Sequence, residues 1–480
     1  MNEPSPPFPA WLPRESGSVT DPSRPAPKVR QIEKPQGKSQ DIVARLKATG
    51  TYQFYESHLK QYSLVRALGN WIGRNIYAIF AIYVIHIATP LGTKHAKNRR
   101  YLIKLSEFAK KKGIPVCKLA DAARVETRAP GVFPDRDRGY LAPPRDHYEF
   151  PEVFVAIMRN AIAFGGTNLV FTDGEVVCHD LYDFERDTTS EELHGRAIIE
   201  PRSRQIWWYA YDELPERIAV AATFVDACAP NYAHWMTEVL PRIALFCADE
   251  RFKGVPIVVN DGLHKNIMES LLLVTGADRE IITLPSGKAL AVDQLHVMSA
   301  AGYVPFGRRT SRLSDHSHGM FSPGAFEKLR NQLSALGQET KEEAWPQKIY
   351  LRRDSSMREI INAVELEKLL VARGYVIVEP EKLTFLQQLQ IFRNAKAIVA
   401  PTGAGLSNAI CCKRGTHVVV LMAKHKNMIY RYWCNLLTPI QIQVSYVLGN
   451  IRDYRGMGIH GNFLIDPSDV ADSLPALGET

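Results

Sequence analysis

Ala397-Ile398-Val399-Ala400-Pro401-Thr402-Gly403-Ala404-Gly405-Leu406-Ser407-Asn408 passes from an apolar run through a glycine turn into the start of a helix near Ser407. A short β-capable run feeding a helix is the repeating unit of a parallel α/β sheet. The same alternation continues on both sides. Lys348 to Leu351 reads as a strand, Glu365 to Arg373 as a helix stopped by Gly374, and Tyr375 to Val378 as a strand. Thr384 to Asn394 then reads as a helix and His417 to Leu421 as one more strand. Further upstream, Ile218 to Val225 is a buried-strand run. A helix follows from about Asn231, with strands near Val255 to Val259, Ile281 to Leu284 and Leu295 to Met298. The pattern predicts an α/β protein with two Rossmann-like, doubly wound domains joined near residue 340. They would face a central cleft, with ligands beyond the carboxyl ends of the strands.

The domain plan that follows has a disordered Pro-rich tail over 1–40 and a helical, basic N-terminal segment over 41–145. A first Rossmann-like domain spans 146–340 and a second 341–465. A C-terminal helix and tail over 466–480 are announced by the cap Asp466-Pro467. The tail expectation rests on nine prolines between Pro4 and Pro35, a composition poor in packable side chains. The chain opens acidic and Pro-rich, without the basic and apolar pattern of a secretory signal. Ile76 to Thr89 is an apolar-dominated run of fourteen residues, short of the roughly 20 that span a bilayer. Basic residues flank it from Arg66 to Lys104. The run fits a segment lying in an anionic membrane interface, or a buried helix of the body.

Chain length, 480 residues, allows two packed domains, and a net charge of +8 permits an acidic partner. That charge brings no nucleic-acid motif and no basic–aromatic stripe, so nucleic acid is not an expected partner. Seven cysteines without a Cys-x-x-Cys exclude a zinc ribbon and a disulfide framework, and fit a reducing, cytoplasmic setting.

Three places carry chemistry. In Asn231-Tyr232-Ala233-His234-Trp235-Met236-Thr237-Glu238, a helix capped by Asn231 puts His234, Glu238 and Arg242 on one polar stripe. Trp235, Val239, Ile243 and Phe246 fall on the apolar stripe beside it. His234 and Glu238 form either a proton-accepting pair or a helix-surface pair that satisfies a buried imidazole. Arg352 and Arg353, with Arg358 and Asn362 beyond, suit a diphosphate by forked pairing, or line a solvated loop. The turn Gly403-Ala404-Gly405 offers backbone N–H groups to an anion, or serves only as a tight turn.

Taken in order, Asn231-Tyr-x-His-Trp-x-x-Glu-x-Leu-Pro-Arg, Arg352/Arg353…Arg358…Asn362, Pro380-Glu381…Leu383 and Gly403-Ala-Gly-Leu-x-Asn408 resemble glycosyltransferase family 61, which includes bacterial capsular-polysaccharide biosynthesis proteins. The resemblance covers roughly Glu149 to Leu474. It implies a GT-B fold, an inverting transfer from a nucleotide sugar (a uridine-diphosphate linkage is expected), and a glycan or lipid-linked glycan acceptor. The product would be a capsular or other surface polysaccharide. The enzyme would sit in the cytoplasm, peripheral on the inner membrane face, with no cofactor and no metal. His234 and Glu238 would be catalytic. Arg352, Arg353, Arg358, Glu381, Gly403, Ala404, Gly405 and Asn408 would hold the donor. Thr402 stands where many relatives carry His. Asp135-Arg136-Asp137 and Asp315-His316-Ser317-His318 look like metal motifs but read as loops. The alternative function is a non-catalytic nucleotide-sugar or glycan-binding assembly factor for polysaccharide export.

Overall fold

The structure, a computed structural model, describes residues 28–32, 99–141, 146–172, 174–184, 197–200, 204–208, 215–304, 319–336, 345–353, 358–425, 430–452 and 461–474. Two large sheets carry it. In the second sheet, Val376–Val378, Lys348–Leu351, Ala397–Pro401, His417–Ala423 and Gln443–Ile451 lie side by side in that spatial order, all parallel. The chain leaves Lys348–Leu351 to one side and returns to Ala397–Pro401 on the other. The crevice between their carboxyl ends is therefore the switch point of an open α/β sheet. Lys348–Leu351 and its neighbours form where the sequence reading put them, within one or two residues.

The first sheet has a parallel core of Ile281–Leu284, Ile257–Asn260, Glu216–Thr223 and Ala289–Met298, in that spatial order. Its switch point lies between Glu216–Thr223 and Ala289–Met298. Side chains alternate between two hydrophobic clusters: Ala222, Ile257, Val259 and Ile281 enter one, and Ala221, Val258, Ile282 and Leu284 the other. Burial on both faces explains why these strands read as continuous apolar runs. Beyond Ala289–Met298 the sheet departs from the doubly wound expectation. Val153–Phe164 pairs antiparallel with Ala289–Met298, and the sheet extends through Val170–Phe171, Glu175–Cys178, Arg99–Lys104, Gln205–Trp208 and Ala197–Glu200.

The N-terminal expectations need correction. Val29–Gln31, assigned to a disordered tail, is a strand parallel to Ile281–Leu284, and Ile32 after it is buried. Val-Arg-Gln-Ile carries enough β-capable residues to pair once Pro27 is passed, and an edge position tolerates a nearby proline. The segment 41–145 is not a separate helical unit in its described part. It has one longer helix, Leu105–Lys112, and its strands are divided among the two large sheets and a two-stranded sheet of Ala123–Glu126 with His147–Phe150. Gly131–Phe133 adds in parallel to Gln443–Ile451 of the second sheet. Arg99, Arg100 and Lys104, read as a membrane-flanking run, belong to the strand Arg99–Lys104, whose Leu102 and Ile103 are buried. The apolar run Ile76 to Thr89 lies outside the described residues. Among the described residues no helix is long and apolar enough to cross a membrane.

The two sheets share a hydrophobic cluster. Asn266 Nδ2 donates to the Leu383 carbonyl at 2.9 Å. The Glu269 carboxylate accepts the Phe385 and Leu386 N–H groups at 2.8 and 3.2 Å, so one half caps a helix of the other.

Candidate active site

The helix after Asn231 is built in three stretches: Tyr232–His234, a π-helical turn over Trp235–Val239, and Leu240–Cys247. Asn231 Oδ1 accepts the Ala233 N–H at 3.0 Å, the expected cap. Pro241 has no N–H to give the Thr237 carbonyl one turn back, and the π turn falls where that bond is missing. Gly302 fills the opening. A Cβ there would lie 2.1 Å from Thr237 O, so only glycine permits the approach. Trp235, Val239, Ile243 and Phe246 are fully buried, and the Trp235 indole donates to Ser270 Oγ at 2.8 Å.

On the polar side, His234 Nδ1 and Glu238 Oε1 lie 2.5 Å apart, both side chains largely buried. A carboxylate holding the Nδ1 proton leaves the lone pair on Nε2, the arrangement of a general base with an orienting acid. Arg242 does not pair with the Glu238 carboxylate as a simple stripe suggests. Its Nε donates to the Glu238 carbonyl at 2.8 Å, and its Nη2 to Asp226 Oδ2 at 3.1 Å. Asp226 sits just past the carboxyl end of Glu216–Thr223. Its backbone exchanges two hydrogen bonds with the Asn260 side chain, at 3.0 and 2.8 Å. A cavity of about 30 Å³, room for a water or two, lies against Asp226, Glu238 and Arg242. His179 of the antiparallel extension and Tyr303 close it.

Sequence reasoning missed Asp226, because its partner Arg242 lies a helix away, and it missed Tyr432. The Tyr432 hydroxyl lies beside Thr237 and Glu238, and burial, then the Glu238 charge, pushes it well above the usual tyrosine range. The turn in which Asp226 Oδ1 accepts the Cys228 N–H at 2.9 Å, braced by Asn260, had no motif to announce it.

At the switch point of the second sheet, Arg353 follows Lys348–Leu351 and its Nη1 donates to the Thr402 carbonyl at 2.8 Å. Burial lowers its pKa, and Glu381 on the exposed rim offsets part of that. Arg358 stands beside it. Burial first, and then the Arg353 charge, brings the Arg358 guanidinium down to about 10, and its backbone is left-handed at φ 58°. Its Nε is buried without a hydrogen-bond partner among the described residues. Two cations side by side in a partly dry crevice are a costly arrangement, of the kind that an anion relieves. Gly403 packs on the Arg353 guanidinium. Gly405 lies against Pro380, and Ala404 begins the 3₁₀ helix Ala404–Cys411.

Two expected donor residues are held elsewhere. Arg352 forms a bidentate pair with Glu367, 2.7 and 2.6 Å, on the opposite side from Arg353. Successive residues of an extended chain point to opposite faces, so only one of the two reaches the crevice. Asn408 is 1% exposed, and both ends of its amide bond to Tyr232 and Gln388. Thr402 turns inward and accepts the Trp433 indole N–H at 3.1 Å. Asp135 and Asp137 lie in a 3₁₀ turn, with Asp137 buried against Lys424 Nζ at 2.6 Å. Asp315, His316 and His318 are outside the described residues.

The turn Tyr232–His234 packs directly on Ala404–Cys411, where Tyr232 reaches Asn408 across the junction of the two halves. Residues 232–419 match the Glycosyltransferase 61 family model. The Glycosyltransferase 61 match covers less than half of the chain. It takes in His234, Glu238, Arg353, Arg358, Glu381 and Gly403 to Gly405, and omits Asp226 and the antiparallel extension. No curated protein matches the chain.

Proposed function

We propose that this protein is an inverting, metal-independent glycosyltransferase of GT-B type. It moves a sugar from a nucleotide sugar, uridine-diphosphate-linked, onto a glycan or lipid-linked glycan of a capsular or other surface polysaccharide. The observation that carries the reading is the pair Arg353 and Arg358, two desolvated cations at a sheet switch point beside a glycine turn. The Glycosyltransferase 61 match over the same residues supports it.

In the proposed single displacement, His234 Nε2 takes the proton of the acceptor hydroxyl while Glu238 holds Nδ1. The acceptor oxygen bonds to the anomeric carbon as the bond to the diphosphate breaks. The charge that develops on the leaving diphosphate meets Arg353, Arg358 and the amides of Gly403 to Gly405. Arginine and backbone supply that field, so the reaction proceeds in a chelator. A screen of nucleotide sugars with EDTA present tests this, with the anomeric configuration of the product read by NMR. Loss of activity in EDTA, restored by magnesium or manganese, would overturn the metal-independent mechanism. Retained configuration would overturn the single displacement.

Peripheral contact with the inner face of the cytoplasmic membrane, through the basic region 66–104, belongs to the same proposal. Co-sedimentation with anionic vesicles that weakens in high salt is the expected result, and equal sedimentation with neutral vesicles counts against it.

A further inference from the structure

Four backbone segments meet at the junction of the halves, and one chain of hydrogen bonds runs through them. Tyr232 Oη donates to Asn408 Oδ1 at 2.6 Å. Asn408 Nδ2 donates to Gln388 Oε1 at 2.6 Å. Gln388 Nε2 donates to the carbonyls of Pro380 and Leu383, at 2.8 and 3.2 Å. Asn408 and Gln388 are 1% and 3% exposed, so water does not compete for their amides.

The chain has a single sense. Backbone carbonyls only accept, so Gln388 must turn its NH₂ to Pro380 and Leu383 and its oxygen to Asn408. Asn408 must then present NH₂ to that oxygen, and its own oxygen to Tyr232. The Tyr232 hydroxyl is left as the obligatory donor. Burial pushes its pKa well above the ordinary tyrosine value against the opposing pull of Asn408, so the proton is in place at any working pH. Buried chains of this kind polarise along their length, and they respond as a unit when one member moves.

The ends of the chain matter as much as its sense. Pro380 and Leu383 bracket Glu381, which faces Arg353. Asn408 lies in the 3₁₀ helix whose first residues follow Gly403, and Tyr232 belongs to the capped turn that carries His234. We propose that Tyr232, Asn408 and Gln388 are a positioning relay that couples occupancy of the diphosphate site to the placement of His234. This rests on the glycosyltransferase reading above. None of the three touches the reacting atoms. An anion drawn to the glycine turn and to Arg353 and Arg358 shifts the 3₁₀ helix and the Pro380–Leu383 segment. The relay carries the shift to the turn of His234, which is aligned only when donor is present.

The test uses the full chain with isotope-labelled histidine. The His234 ring signals are assigned by comparison with His234→Asn and followed during titration with uridine diphosphate. In the wild type the nucleotide shifts the His234 signals. In Tyr232→Phe the diphosphate Kd stays within about twofold, the His234 response is lost, and kcat falls about 10- to 100-fold at unchanged donor KM, as a small misplacement of a catalytic group requires. Gln388→Met repeats the uncoupling from the other end of the chain, with melting curves taken on both variants. Diphosphate binding with His234 unmoved in the wild type, or moved equally in Tyr232→Phe, overturns the relay and leaves the glycosyltransferase reading intact. Absence of diphosphate binding overturns that reading, and the relay with it.

Discussion

On the flank of the site built by residues 226–242, polar side chains meet complementary partners at close range, His234 with Glu238 and Arg242 with Asp226. On the flank at the ends of Lys348–Leu351 and Ala397–Pro401, Arg353 and Arg358 lie side by side in a partly buried crevice, with Glu381 at its exposed rim. One flank is complete without ligand. The other sets two like charges side by side, which on the proposed function a nucleoside diphosphate would neutralise. A protein holds such an arrangement only if surrounding packing over-determines it, and removal of the offending charge then stabilises the fold while it harms binding.

The sharpest way to break the contrast is through the dyad. His234→Ala and Glu238→Ala each lower transfer by about a hundred- to ten-thousand-fold, with diphosphate affinity nearly unchanged in calorimetry. Near-normal turnover in both, with donor bound, makes the helix structural only. Next comes Asp226→Ala, which strands Arg242 in the interior. Chemical denaturation should show a loss of about 3–5 kcal/mol, the usual cost of one partner of a buried pair. Wild-type stability would mean that Arg242 does not depend on Asp226.

Arg353→Ala and Arg358→Ala weaken diphosphate binding by about one to two decades, the worth of a charge-assisted hydrogen bond. Lysine at either position recovers part, since it keeps the charge and loses the fork. The contrast demands an opposite sign in stability: Arg358→Met raises the Tm of the ligand-free protein. A lower Tm would show that the cation is satisfied in place.

The smallest effect lies in the core. Burial lowers the pKa of His296 and of His417, so the unfolded chain binds protons more readily than the folded one. Stability is whole above the ordinary histidine value of about 6.5 and declines as pH falls below it, by at most about 1.4 kcal/mol per pH unit for each group. His296→Phe, edge-on against the stacked rings of Phe246 and Phe252, should flatten the acid limb of a Tm–pH curve. An unchanged limb would place the acid sensitivity elsewhere.

Much of the second sheet was legible because its signals are local. Lys348–Leu351 is apolar after its first residue, Thr384 forms a capping box with Gln387, and Asp466 caps before Pro467. The His234–Glu238 pair followed from helical spacing alone. The choice between Arg352 and Arg353 was not legible, since adjacent residues differ only in which face the strand turns outward. Asn408 has the composition of a ligand-binding asparagine, and its tie to Tyr232 spans 176 positions. Val153–Phe164 is an apolar run interrupted by Arg159 and Asn160, yet its antiparallel pairing with Ala289–Met298 is fixed by the sheet it joins.

The strand Val29–Gln31 has a consequence for how the chain is made. It pairs with Ile281 to Thr283, and Gly131–Phe133 waits for Ser445 to Val447. At the roughly 5–20 residues per second of synthesis, the first strand leaves the ribosome tens of seconds before its partner exists, and the second waits about as long. Both early segments must stay unpaired through that interval with β-capable residues exposed. The closing of each sheet edge is therefore a late event in biogenesis, and the protein is most open to misassociation and proteolysis while its earliest strands still lack neighbours.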